Sequence, residues 1–371
     1  MTTVAPQPRP TKQEQLPAEE SVTEVAPGIL RMQLPIMLPG LGHVNCYVLE
    51  DERGLTVVDP GMPDPDSFES FRSRLAQIDA RPEHVHTVVV THSHPDHFGG
   101  AGRLRIRYGA RVIAHEQFRT IFDPTDDDSE LEDASSPLVE RWDPERVAET
   151  MLGDGPITEL PERHTIWGGL IPLPSMLEIN HMRTWDADTK RGFLTPSPTL
   201  RVADGDPIRL GRRDWFAVHT PGHTGDHLCL WDPTDGVLLS GDHVLPTITP
   251  HISGLTDTQD SLADFFGALD KVAALPGVRH VLPAHGLPFV DLPQRVEEIQ
   301  THHHERLGRL AEISSEIGEA DVIEMSHHLF RERSWGAMAE SETYAHLEHL
   351  RLAGRAQRRE AGGKLWYLVS G

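Results

Sequence analysis

The residues best suited to chemistry crowd into one turn. Thr91-His92-Ser93-His94-Pro95-Asp96-His97 follows an apolar run ending at Val90 and puts three imidazoles and one carboxylate within six positions. In extended chain, residues two apart project to the same side, so His92 and His94 can converge on one point. Pro95 ends the extended run, and Asp96 and His97 can turn back toward a second point nearby. Imidazole nitrogens and carboxylate oxygens suit Zn2+ or another divalent first-row cation.

Four donors from one turn do not complete two sites. Three further apolar strands end in polar turns: Thr220-Pro221-Gly222-His223, Ser240-Gly241-Asp242-His243 and Pro283-Ala284-His285-Gly286. Each sets a His or Asp near a glycine, which lets backbones approach closely. All can lie along one edge of a sheet. With His92, His94, Asp96 and His97, one His or Asp from each of these turns makes seven donors, enough for two cations sharing a carboxylate. Other histidines are discounted. His115 stands at a strand end without a paired donor. His302, His303 and His304 are consecutive on a helix, point in different directions and read as a solvated face, as do His327 and His328.

Strands and helices must hold these turns in place. VAPGILRMQLPI, HVNCYVLED, LTVVDPG, HVHTVVVTHSH and ARVIAHE read as strands. SFESFRSRLAQID reads as an amphipathic helix, with Phe68, Phe71, Leu75 and Ile78 at helical spacing. This alternation predicts an α/β architecture. Short strands resume near residue 199, and DSLADFFGALDKVAALPG is a helix closed by a Pro-Gly stop. Residues 119-200 break the rhythm with an acidic stretch and several prolines and glycines. They read as a helical insertion whose Trp167, Leu170, Ile171, Met176 and Leu177 could line an apolar acyl pocket. From Leu292, three helices precede a hairpin with a Gly-Gly turn, the outline of a winged-helix-like domain over 292-371. Residues 1-22, rich in Pro, Gln and Glu, read as a disordered tail.

Composition narrows the function classes. Of 371 residues, 57 are acidic and 34 basic, a formal charge of −23. Such a surface repels nucleic-acid phosphates and anionic membranes. Cys46 and Cys229 lie outside any CxxC pair, which disfavours a disulfide framework or a thiolate metal site. The first residues lack the apolar core of a secretory signal, and no run reaches the roughly 18 apolar residues of a membrane span. The expected location is cytoplasmic, with no membrane partner.

In the order VVDPG, THSHPDH, TPGHTGDH, LSGDHV and PAHG, the motifs resemble those of the metallo-β-lactamase superfamily of binuclear metallohydrolases, across a domain of residues 23-291. The resemblance implies an αββα sandwich, with two mixed sheets face to face and helices outside. It implies that His92, His94 and His223 hold one cation, that Asp96, His97 and His285 hold the other, and that Asp242 bridges them. Asp59, in VVDPG, would support the donor turn through hydrogen bonds. A bridging aspartate is typical of the glyoxalase-II-like branch and not of true β-lactamases. GDHVLPTITPHIS and the C-terminal module are most similar to the β-lactamase-like-protein-2 group. Zn2+ is the expected metal, with Fe2+ and Mn2+ as alternatives.

The expected reaction follows from such a pair. A hydroxide bridging the cations attacks a thioester, ester or lactone carbonyl of a small-molecule acyl substrate. Asp96 and Asp242 are the candidate catalytic residues, and Asp96, His227, His243 and His251 are candidate proton donors. Iron-dependent persulfide-oxidising relatives use fewer donors, so a complete set points to hydrolysis. The alternative is an endoribonuclease cleaving single-stranded RNA, because winged helices often bind nucleic acid and Arg351, Arg355, Arg358, Arg359 and Lys364 form a basic stripe. Residues 295–371 nonetheless carry more acidic than basic side chains. That favours packing, or a homodimer contact, over nucleic-acid binding.

Overall fold

A computed structural model describes residues 12–38, 40–120, 164–170, 196–256 and 258–370. Alternating side chains build its strands. In β3 (Leu41–Asp51) and β4 (Gly54–Val58), Cys46, Val48 and Val57 face one side, while Tyr47, Leu49 and Val58 face the other. Both sets are buried, so this sheet is covered on both faces. It also contains β1 (Thr23–Ala26), β2 (Ile29–Leu38), β5 (Val85–Val89), β6 (Arg111–His115) and β7 (Leu200–Val202), in the order β1-β2-β3-β4-β5-β6-β7. Pairing is antiparallel from β1 to β4 and parallel from β4 to β7.

A second sheet has the order β12-β11-β10-β9-β8. Its strands are β8 (Pro207–Leu210), β9 (Arg213–His219), β10 (Leu228–Asp232), β11 (Val237–Gly241) and β12 (His280–Pro283). Ile29, Leu49 and Val89 of the first sheet pack against Trp215, Leu230 and Leu282 of the second. Outside the first sheet lie α1 (Pro65–Ala76) and α3 (Ala101–Tyr108), buried through Phe68, Phe71, Leu75 and Leu104. Asp64 starts α1 by accepting the Ser67 N–H at 2.9 Å, with Pro65 at the first helical position. Outside the second sheet, α4 (Ser261–Ala273) covers Val218, Leu238 and Val281 with Leu262, Phe265 and Leu269. The layers are therefore helix, sheet, sheet, helix.

The C-terminal helices α5 (Leu292–Ile317), α6 (Val322–Leu329) and α7 (Ala337–Leu352) precede a hairpin of β14 (Ala356–Ala361) and β15 (Lys364–Val369). The short β13 (Ala320–Asp321) joins β15, a pairing too brief to carry a sequence pattern. Leu310, Leu347 and Tyr367 belong to the same apolar cluster as α4, so this unit and the second sheet share a core.

Two expectations change. Residues 12–22 are tied to the fold through Glu14 rather than disordered: Gln13–Gln15 form a 3-10 turn and Glu14 is fully buried, while most of the segment's other residues are exposed. Its carboxylate accepts the N–H groups of Thr247 and Ile248, partners far away in sequence that local composition does not reveal. Trp167 does not line an open acyl pocket. It is fully buried, stacks on Tyr344 at 4.9 Å, and its indole N–H donates to Glu340. Ile171, Met176 and Leu177, with most of the expected insertion and residues 1–11, lie outside the described residues. No helix among the described residues is long and apolar enough to cross a membrane.

Candidate metal centre

The seven donors converge from four strand ends. His92 and His94 follow β5, and Asp96 and His97 ride on the short helical turn α2 (Pro95–Phe98). His223 follows β9, Asp242 follows β11 and His285 follows β12. Their donor atoms form two groups, one of His92, His94, His223 and Asp242 and one of Asp96, His97 and His285. In the first, His94 Nδ1 lies 3.0 Å from His92 Nε2 and 3.1 Å from His223 Nε2. Nitrogens sharing a tetrahedral Zn2+ sit about 3.3 Å apart, so this spacing suits a cation. In the second, Asp96 Oδ2 lies 3.5 Å from Nε2 of both His97 and His285. Asp242 stands between the groups. Its Oδ1 is 3.2 Å from His285 Nε2, and its Oδ2 is 3.5 Å from His223 Nε2 and 3.7 Å from His97 Nε2.

The outward ring nitrogens are tied down by acceptors. His97 Nδ1–H donates to Asp59 Oδ2 at 2.9 Å, His223 Nδ1–H to the His251 carbonyl at 2.7 Å, and His285 Nδ1–H to the His43 carbonyl at 2.6 Å. The Thr91 hydroxyl gives its proton to Asp59 at 2.7 Å and so accepts from His92 Nδ1–H at 3.1 Å. These bonds turn the Nε2 of His92, His97, His223 and His285 inward, toward the two donor groups. Asp59 itself has φ 54, a left-handed conformation that aspartate tolerates better than most residues. It also accepts the Thr91 N–H at 2.9 Å, so it ties the donor turn through hydrogen bonds, the role the resemblance implies.

Electrostatics distinguish the two groups. Burial opposes charge on His97 and His285, but the carboxylates of Asp96 and Asp242 outweigh it and raise both, favouring a proton that a bound cation would displace. The imidazoles of the first group are depressed instead. Burial, then neighbouring imidazoles, depress His92 well below the usual range and take His94 down to about 3. Burial depresses His223 as well. Neutral imidazole is the form that binds metal. Burial opposes ionisation of Asp96 and Asp242, but the surrounding imidazoles outweigh it and hold both carboxyls low. His97 Nε2, His285 Nε2 and Asp242 Oδ1 are buried with no hydrogen-bond partner among the described residues. Buried polar atoms are seldom left so. Two divalent cations would satisfy them, and the donor set fits that pair.

Other histidines sort themselves. His227 lies beside the site but works through backbone: its Nε2 accepts the Asp242 N–H at 3.0 Å and its Nδ1–H donates to the Thr220 hydroxyl at 2.7 Å. His243 packs edge-on against Phe265, with its ring 5.9 Å from that of His227. His251 contributes its carbonyl to His223, and its ring lies 3.6 Å from Glu342. His115 stacks on His219 at 3.9 Å. His303 is fully buried rather than solvated, since one of three consecutive helical residues must face inward. With Glu342 and His346 it forms a third donor group. There, His346 Nδ1–H donates to the Glu342 carbonyl, His303 Nδ1–H donates to His346 Nε2 at 3.0 Å, and Arg306 pairs with the Glu342 carboxylate. These hydrogen bonds account for both His346 nitrogens and the Glu342 carboxylate, while His303 Nε2 is buried without a partner among the described residues. His43 was missed altogether, because a lone histidine in an alternating strand carries no signal.

Comparison with known proteins agrees with this geometry. The family model described as the metallo-beta-lactamase superfamily matches residues 39–285. The chain is 28% identical over 135 residues to a beta-lactamase-like protein 2 homolog of Caenorhabditis elegans, covering 36% of this chain and 43% of that protein. It is 32% identical over 130 residues to an acyl-coenzyme A thioesterase of Bos taurus, covering 34% of this chain and 39% of that one. The chain thus spans less than half the length of either relative. The crystal structure of a metallo-beta-lactamase family protein from Thermus thermophilus superimposes with a TM-score of 0.69 at 27% identity, covering 93% of this chain and all of that one. Donor turns, layered sheets and the family match lead to one conclusion: this chain belongs to the metallo-beta-lactamase superfamily and is a metal-dependent hydrolase.

Proposed function

We propose that this chain hydrolyses a thioester of a small acyl substrate, with ester and lactone carbonyls as related targets, at a centre of two divalent cations, Zn2+ first among them. The observation that carries the reading is the placement of Asp242, whose two oxygens face His285 on one side and His97 and His223 on the other. On this reading His92, His94 and His223 hold one cation, Asp96, His97 and His285 hold the other, and Asp242 serves both. When bound, such a pair supplies Lewis acidity that activates water near neutral pH and neutralises charge on the attacked carbonyl oxygen.

The chain's own residues keep the donors aimed. Asp59, Thr91, and the carbonyls of His43 and His251 fix ring orientations, while His227 holds the backbone of Asp242. Neither thiol competes as a nucleophile. Both are buried, and burial pushes Cys229 up to about 12. A thiolate leaves without prior protonation, which makes a thioester an easier substrate than an amide. The similarity to a bovine acyl-coenzyme A thioesterase supports the same substrate class.

We read the C-terminal helices and three-stranded sheet as a winged-helix-like unit with a packing role. Arg351 and Arg358 pair with Glu348, Arg359 with Glu319, and Lys364 with Asp321. Four of the five basic residues of the stripe are thus engaged within the unit, Arg355 standing outside these pairs, which argues against the endoribonuclease alternative. Metal-loaded protein assayed side by side on acyl thioesters of coenzyme A or glutathione and on single-stranded RNA tests the reading. Thioester turnover is expected, and RNA cleavage without it would reverse the assignment.

A further inference from the structure

We propose that the N-terminal segment of residues 12–16 is a positioning element for the donor group of Asp96, His97 and His285, a role that rests on the two-cation reading above. The segment reaches the site through His43. Leu16 offers a carbonyl to His43 Nδ1 at 2.8 Å, and a carbonyl can only accept, so the proton sits on Nδ1. His43 Nε2 is then an acceptor, and it takes the Gly286 N–H at 3.0 Å. The His43 carbonyl takes the His285 Nδ1–H. One residue thereby grips the His285 turn twice, and its tautomer is set by the N-terminal segment.

The same segment clasps the loop that follows Asp242. The buried Glu14 carboxylate accepts the Thr247 N–H at 2.7 Å and the Ile248 N–H at 3.1 Å, and it bonds the Thr247 hydroxyl. Gln13 adds two more ties, donating its N–H to the Thr247 hydroxyl and accepting the Leu287 N–H through its side chain. A buried carboxylate with this many donors is costly to leave unsatisfied, so the segment stays seated as long as these loops keep their shape. Its contacts with His43 and Leu287 fall on the His285 side of the centre, and those with Thr247 and Ile248 fall on the loop between Asp242 and His251. The first donor group is oriented by Thr91 and by the His251 carbonyl instead.

Gly42 provides a lever on this contact. A Cβ there would lie 2.2 Å from the Leu16 oxygen and 2.9 Å from the Gln15 oxygen, and its φ is not in the left-handed region. Gly42→Ala therefore displaces the segment without straining its own backbone, and Glu14→Gln weakens the clasp from the other end.

The test is release of zinc from the full-length protein into a graded chelator, with His285→Ala as the reference for loss of the second site. In both variants one cation is expected to leave at about tenfold lower chelator strength, the same cation that His285→Ala loses, while the other holds as in the parent. Two unshifted releases would overturn the proposal, as would two releases shifted equally, which would mean general loosening. A parent that releases a single cation would instead overturn the two-cation reading, and this proposal with it.

Discussion

The backbone N–H of Asp242 donates to Nε2 of His227 at 3.0 Å, and that bond holds the backbone of the carboxylate that stands between the two donor groups. His227 is itself fixed by the Thr220 hydroxyl at 2.7 Å. The turn is tight: Gly241 has φ 51, and a Cβ there would lie 2.6 Å from His227 Nε2. His227 is thus a positioning residue.

His227→Ala should lower kcat about 10- to 100-fold, the usual cost of losing an outer partner at a metal site. Bound metal should fall in parallel while the fold persists. Steady-state kinetics with elemental analysis checks this. Parent-like kcat at full metal content would show that Asp242 needs no such support.

Asp59 accepts three hydrogen bonds, from the Thr91 N–H, the Thr91 hydroxyl and His97 Nδ1–H. Asn in its place keeps the shape but turns one acceptor into a donor. Asp59→Asn should weaken the cation held by His97 about 10- to 100-fold and cost about 1–3 kcal/mol of stability. Chelator competition and urea unfolding read the two effects separately. Unchanged affinity would contradict the orienting role.

Acid sensitivity should trace partly to the C-terminal unit. Burial, then the neighbouring His346, takes His303 down to about 2, and burial takes His346 down to about 4. Unfolded, both titrate near 6.5 (roughly the free value). Below that pH the unfolded chain binds protons that the folded chain refuses, so stability falls on acidification. Each group contributes up to about 1.4 kcal/mol per pH unit until its folded value is reached. His303→Gln should make the loss shallower from near 6.5 downward, measured by urea unfolding at stepped pH. An unchanged slope would show that His303 titrates alike in both states.

Much of the site is legible in the sequence because its donors are polar residues set at the ends of apolar strands. His92, His94 and His223 need no partner information to be suspected. The supporting residues are different. Glu14 lies in a stretch rich in Pro, Gln and Glu, and only the distant N–H groups of Thr247 and Ile248 make it a buried residue. His43 acts through its carbonyl as much as its ring, and a carbonyl has no sequence identity. His303 differs from His302 and His304 only in which side of α5 meets α7. Trp167 reads as apolar bulk for a substrate, yet its indole finds Glu340 and Tyr344 in the C-terminal unit. Local pattern reveals what each strand end carries; tertiary partners decide what supports it.

The most direct test is anomalous diffraction from crystals of the zinc-loaded protein. Two peaks about 3.5–4 Å apart are expected, one against His92, His94 and His223, the other against Asp96, His97 and His285, with Asp242 touching both. A lone peak, or peaks that leave Asp242 without a metal contact, would contradict the shared centre.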